Sequence, residues 1–221
     1  MVVSTTMPRP KAVLFDWDNT LIDSWPCIHK AMNAALKAMD HPAWTFEETR
    51  ARVGLSMRDA FPGLFGDRWE VARDVFYTAF RESHLDMLVP LDGAQIMLET
   101  LAERGIYLGV VSNKTGDFLR EEADALGWTG LFGALVGAGD AMRDKPAPDP
   151  VLMALEPARM APGPEVWFVG DTQVDLMCAK ASGCTAILLR PAPPAPGEFI
   201  ECPLTHHLSG CLDFIGLLPK G

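Results

Sequence analysis

Asp16 and Asp18 stand two residues apart where the apolar run Ala12 to Phe15 ends, with Thr20 just beyond them. Side chains alternate across a strand, so two carboxylates are presented side by side at the end of a buried strand. Like charges this close resist joint ionisation. The pair reads as a site for a divalent cation, or for chemistry that needs one carboxylate charged and its neighbour protonated. Asn19 offers a plainer alternative, an acidic turn, since Asp and Asn dominate turns through local hydrogen bonds.

Other apolar runs end in chemically able residues too. Ser112, Asn113 and Lys114 follow Tyr107 to Val111; Gly170, Asp171 and Thr172 follow Val166 to Val169, with Asp175 one helical turn on; the loop after Ala134 to Val136 supplies Lys145 and then Pro146, Ala147 and Pro148. In a parallel sheet, ligands bind beyond the carboxyl ends of the strands. Residues directly after the runs therefore form one candidate set: three carboxylates, a hydroxyl and a lysine. Carboxylate oxygens suit a hard cation such as Mg²⁺, and no His or Cys set suggests zinc. Ser112 and the backbone N–H groups of Asn113 and Lys114 can hold phosphate oxygens. Lys145 can neutralise a transferring phosphoryl group, leaving one carboxylate to attack in line and form an aspartyl phosphate.

The elements that must position these groups follow from patterning. The runs above, with Ala186 to Leu189, are β-like, and after the second they alternate with helical segments: Gly93 to Arg104, Gly116 to Leu126 and Gln173 to Ser182, each with glycine just past its end. The fold class is α/β, a Rossmann-like parallel-sheet core with helices on both faces. Between the first run and Pro90 the chain is far longer than a crossover needs. Candidate helices there are Trp25 to Ala38, Phe46 to Val53, Ser56 to Phe61 and Arg68 to Leu85. We expect residues 23–90 to form an inserted all-helical cap, able to open and close over the site, and residues 1–22 and 91–221 the catalytic core. Trp44, Trp69 and Phe76 are expected in the cap core, Pro191 to Pro196 in a stiff loop, and His207 to Leu218 in a last helix.

Composition narrows the functional classes. A chain of 221 residues, 48% apolar, can bury about 70% of its unfolded surface. Its 29 acidic and 19 basic residues give a formal charge of −10 without a long basic cluster, which argues against nucleic-acid binding. Neither a signal-peptide core in Met1 to Lys11 nor a membrane span is visible, so a soluble cytoplasmic protein is expected. Five cysteines without a Cys-x-x-Cys read as small buried hydrophobes. No pattern specifies an oligomeric state.

The series Asp16-Trp17-Asp18-Asn19-Thr20-Leu21-Ile22-Asp23-Ser24, then Ser112-Asn113-Lys114, Lys145-Pro146, and Gly170-Asp171-Thr172-Gln173-Val174-Asp175 resembles the haloacid-dehalogenase-like superfamily, in particular its phosphoglycolate-phosphatase-like branch with a helical cap. The resemblance covers nearly the whole chain up to Leu189. It implies an Mg²⁺-dependent phosphatase acting on a small phosphorylated metabolite such as phosphoglycolate. Asp16 matches the nucleophile and a metal ligand. Asp18 matches the general acid and base, with its main-chain carbonyl reaching the metal. Thr20 would orient the loop, Ser112 and Asn113 would bind phosphoryl oxygens, and Lys145 would offset charge between nucleophile and phosphate. Asp171 matches a metal ligand, and Asp175 would act through metal-bound water or by holding Lys145 or Ser112; the alternative for Asp175 is an exposed acid in a helix's first turn.

Asp18 argues against dehalogenating relatives, which lack an acid there. A phosphonate hydrolase would need a cap lysine, and Lys30 and Lys37 read as a solvated helix face. A sugar phosphomutase shares every core residue and stays open at this point, as does a silent binding protein that keeps the fold. In the cap loop Arg52 to Arg58, Gly54 permits close approach and Arg58 is expected to grip an anionic substrate tail such as a carboxylate; the alternative is a surface charge on a short helix.

Overall fold

A computed structural model of the protein describes residues 9–218. Six strands form one parallel sheet in the order β3-β2-β1-β4-β5-β6. Strand β1 (Ala12–Phe15) is wholly buried at its centre, flanked by β2 (Tyr107–Thr115) and β4 (Val166–Gly170). From β1 the chain builds outward to β3 (Ala134–Ala138), then returns to β4 and continues to β5 (Thr185–Leu189) and β6 (His206–Leu208). The reversal leaves a crevice beyond the carboxyl ends of β1 and β4, the place where open α/β sheets bind ligands.

Strand alternation divides the core in two. Val13 and Phe15 face one cluster with Met97 and Leu98 of α5 (Ala94–Glu103), Leu119 of α6 (Gly116–Ala125) and Phe214 of α9 (Cys211–Leu217). Ala12 and Leu14 face the other, with Val151 of α7 (Asp149–Leu155) and Leu176 of α8 (Gln173–Ser182). Both faces of the sheet are thus covered, as the continuous apolar strands require.

Between β1 and α5 lie α1 (Trp25–Ala38), α2 (Phe46–Arg52), α3 (Met57–Phe65) and α4 (Trp69–Arg81). They share a third apolar cluster that includes Ile28, Met32, Phe61, Phe76 and Phe80, joined by Phe118 of α6. The chain enters and leaves this lobe through adjacent strands of backbone, with Asp23 N–H donating to Val89 O at 2.9 Å. Phe76 is buried, and Trp44 and Trp69 pack partly buried against the cluster.

Several boundaries differ from the sequence expectation. Helix α3 continues through Pro62 to Phe65, because Phe61 and Phe65 pack edge to face at 5.0 Å and hold the turn that proline weakens. Strand β2 runs on to Thr115 through an irregularity in its pairing with β3, so Ser112 to Lys114 lie on the strand rather than after it. The Pro-rich stretch after Lys145 opens α7, where prolines fit the first turn. The expected last helix is two elements: His206–Leu208 pairs with β5, and only Cys211–Leu217 is helical.

Candidate active site

At the end of β1, Asp16 N–H donates to Val169 O at 2.8 Å, which locks its backbone to β4. Asp16 is 7% exposed, and burial pushes its carboxyl up to about 6 against the pull of Lys145. Lys145 Nζ lies 2.7 Å from both Asp16 Oδ1 and Asp175 Oδ1. Burial disfavours the ammonium, yet these two carboxylates hold it above the ordinary lysine range.

Asp175 is not an exposed helix-start acid; it is 1% exposed. Its Oδ2 accepts from Thr172 N at 2.9 Å and Thr172 Oγ1 at 2.7 Å, capping α8, while Oδ1 holds Lys145. Gly170 makes this possible. A Cβ there would sit 2.3 Å from Asp175 Cγ. Asp171 is raised well above the usual carboxylate range by burial and by Asp175 and Asp16; fully buried Thr20 places Oγ1 3.5 Å from Asp171 Oδ1.

Asp16, Asp171 and Asp175 each offer an oxygen within 4.8 Å of the others. Three carboxylates face one lysine, and Asp16 Oδ1 is buried without a well-directed hydrogen bond although Lys145 Nζ is close. Such an excess of buried negative charge fits a hard divalent cation, which would reverse the raised carboxylate affinities for protons.

Asp18 turns to a different partner. Its Oδ1 lies 2.7 Å from Lys114 Nζ, and the same ammonium contacts Glu122 Oε1 and Oε2 at 2.8 and 2.7 Å. Glu122, 1% exposed, also accepts from Trp17 Nε1 at 2.7 Å and meets His84 Nδ1 at 3.1 Å. Burial opposes its ionisation, but His84 and Lys114 together hold Glu122 below the ordinary range. Sequence reading missed this network. Lys114 drew notice only for its backbone N–H, and Glu122 looks like any solvated acid on α6.

Ser112 is buried and lines the same cavity as Asp16, Asp18 and Lys145. Asn113 is also there, but its side chain is committed to backbone: Nδ2 donates to Gly54 O and Lys145 O at 3.1 Å each, and Oδ1 accepts from Lys145 N–H at 3.1 Å. It pins the lysine loop and the lobe's α2–α3 loop to β2.

Arg58 corrects the expectation placed on it. Its guanidinium forms a two-pronged pair with buried Asp144, Nη2 to Oδ1 at 2.6 Å, and faces a separate depression beside Pro146. It clamps the lobe to the lysine loop from outside. Lys30 and Lys37 are exposed on α1, as a solvated face requires.

Comparison with known proteins agrees with this geometry. Residues 13–189 match the family model described as haloacid dehalogenase-like hydrolase. A phosphoglycolate phosphatase of Xanthomonas campestris pv. campestris is 30% identical over 82% of this chain and 83% of its own, and one from Aquifex aeolicus is 30% identical over 80% and 84%. A solved structure from Haemophilus somnus, described as a predicted phosphoglycolate phosphatase, superposes with a TM-score of 0.82 at 22% identity, covering 96% of this chain and 99% of that one. The chain belongs to the haloacid dehalogenase-like hydrolases and is similar to the phosphoglycolate phosphatases among them.

Proposed function

We propose that the protein is an Mg²⁺-dependent phosphatase that hydrolyses a small phosphate monoester through a phosphoaspartate at Asp16. The observation that carries this reading is the division of carboxylates around β1: Asp16 sits in an under-neutralised cluster with Asp171 and Asp175, while Asp18 is held apart on Lys114. Asp16, Asp171 and the main-chain carbonyl of Asp18 would hold the cation, with Asp175 acting through Lys145. Bound there, Mg²⁺ supplies charge stabilisation to a transferring phosphoryl group and keeps Asp16 ionised.

In the first step an Asp16 carboxylate oxygen attacks phosphorus and the bond to the ester oxygen breaks, while Asp18 gives its proton to the departing alkoxide. In the second, Asp18 takes a proton from water, the water oxygen bonds to phosphorus, and the bond to Asp16 breaks, releasing inorganic phosphate. Ser112 Oγ and the strand-end backbone hold the non-bridging oxygens; Lys145, aimed by Asp175, offsets their charge. Thr20 supports Asp171. The helical lobe over the site, with its apolar core, acts as the cap that excludes water. Five buried free cysteines suit a reducing compartment such as the cytoplasm; among the described residues no helix is long and apolar enough to cross a membrane.

A phosphomutase would need a further cation to hold a second phosphate, and both buried lysines lining the cavity are already paired, which favours hydrolysis. The test is phosphate release from a panel of monoesters, p-nitrophenyl phosphate and phosphoglycolate included. Release that requires Mg²⁺, stops on chelation and is lost in Asp16→Asn is the expected result. Isomerisation of a sugar phosphate without net release would point to the mutase, and an inert protein to a binding role.

A further inference from the structure

Above its charged floor the cavity changes character. It encloses about 400 Å³, within the range of small-molecule sites. Its upper walls are Ile28, Met32, Met57, Phe61, Phe76 and Phe80, side chains of α1, α3 and α4 that belong to or pack on the lobe's apolar core. Three cations line it: Lys145, Lys114 and Arg52. Lys145 is bound by Asp16 and Asp175, Lys114 by Asp18 and Glu122. Arg52 pairs with Glu48 at 3.1 Å and lies over the Trp44 ring at 4.8 Å. The position nearest Arg58 on the cavity side is taken by Met57, while Arg58 itself turns out to Asp144.

An ester carrying a second anionic group would bury that charge against methionine and phenylalanine, since the two buried cations, Lys145 and Lys114, are already engaged. Arg52, half exposed, and Arg50, over the Trp25 ring, stand on the side of the α2–α3 loop rather than among the apolar walls. Buried charge is tolerated only when paired. Resting on the phosphatase reading above, we infer that the substrate's leaving group is an uncharged apolar alcohol, aromatic or branched, that fills the lobe cavity, rather than a carboxylated alcohol such as glycolate. Asp18 hands its proton to the departing alkoxide, so the chemistry is unchanged and the walls select the substrate. Apolar walls discriminate by contact area, on the order of tenfold or more for each well-fitted group.

The experiment compares kcat/KM for benzyl phosphate, ethyl phosphate and phosphoglycolate, three alkyl esters that differ in what they place in the cavity. Benzyl phosphate is expected to exceed the other two by at least about tenfold; parity, or a preference for phosphoglycolate, overturns the inference. Two variants test the wall. Met57→Lys adds an unpaired ammonium at a half-buried position and should raise the phosphoglycolate-to-benzyl ratio at least about tenfold. Ala60 lines the cavity at a half-buried position against the lobe's apolar core, so Ala60→Phe adds a ring to that wall. It should lower turnover of benzyl phosphate by about tenfold and leave ethyl phosphate within about twofold. Unmoved ratios in both variants would sink the proposal.

A binding measurement separates this inference from the phosphatase reading. Trp25 and Trp44 line the cavity, so their fluorescence can follow titration with phenethylphosphonate and 3-phosphonopropionate, in which CH₂ replaces the bridging oxygen. If no monoester is hydrolysed, the phosphatase reading fails and the titration decides alone. Tighter phenethylphosphonate binding supports the apolar site, and equal or weaker binding removes it.

Discussion

Two buried lysines flank the end of β1, and they keep different company. Lys145 touches Asp16 and Asp175 with Asp171 close by, three carboxylates to one cation. Lys114 touches Asp18 and Glu122, and Glu122 is further supplied by the Trp17 indole N–H and His84. The directions of proton affinity follow. Asp16 is pushed up to about 6 and Asp171 well above its ordinary value by burial and mutual repulsion, whereas Glu122 is held down despite its burial. The first cluster is short of positive charge and accommodates a dication; the second is satisfied by protein groups alone. Under the proposed mechanism this difference separates the nucleophile and metal from the proton shuttle, though the two aspartates are two residues apart.

Removing one aspartate from each cluster breaks the comparison most severely. Asp16→Asn takes away the nucleophile and should cost at least about 10⁴-fold in kcat, with no phosphoenzyme trapped on acid quench. Asp18→Asn keeps the nucleophile and should cost about 10²–10⁴-fold. With an activated ester that needs little leaving-group protonation, it should accumulate phosphoenzyme, because the hydrolysing water lacks its base. Equal accumulation in both variants would remove the division of labour.

The lysines themselves give the next test, read by calorimetric Mg²⁺ titration beside kinetics. Lys145→Met deletes the only cation of the acidic cluster among the described residues and should tighten Mg²⁺ binding while lowering kcat. Lys114→Met should leave Mg²⁺ affinity within about twofold but lower kcat by about 10²-fold, the scale of a misplaced catalytic group. A loss of metal affinity in Lys114→Met would merge the two clusters into one.

A smaller effect concerns stability. Mg²⁺ at 100 times its Kd should stabilise the fold by about 2.7 kcal/mol, read as a rise in Tm. Asp171→Asn should abolish most of that rise, and Lys114→Met should keep it.

The same comparison explains what could be read in the sequence. The acidic cluster was legible because Asp16 and Asp171 directly follow apolar strands, and the parallel order of β1, β2, β3 and β4 carries strand ends to one edge. Asp175 was half legible. Its helix-start position showed, but its burial depends on Gly170 leaving room, a through-space fact. The Lys114–Glu122–His84 network joins a strand, a helix and the lobe's return segment, and no spacing rule links residues so placed. Arg58 was misplaced for the same reason: Met57 and Arg58 are neighbours in a polar loop and helix start, and only packing decides which faces the cavity. In the fold, strand and helix types followed periodicity, while β6 and α7 were missed because three residues and a Pro-rich start carry too little pattern.

The weakest perturbation separates the clusters by pH. Glu122 faces Lys114 from β2, His84 from the segment after α4 and the Trp17 indole from the loop after β1. Its folded proton affinity lies below the unfolded one, so the unfolded chain binds more protons and the ionised carboxylate stabilises the fold. That contribution is complete above about pH 4.5, the unfolded value, and is lost as pH falls through the lower folded value. Glu122→Gln cannot titrate and leaves Lys114 with Asp18 alone. At neutral pH it should be less stable than the wild type by about 1–3 kcal/mol, with the gap closing as pH drops below about 4.5. Chemical denaturation at a series of pH values measures it. A gap that stays constant into acid would mean that Glu122 acts through shape rather than charge, and the contrast between the two lysines would then rest on metal binding alone.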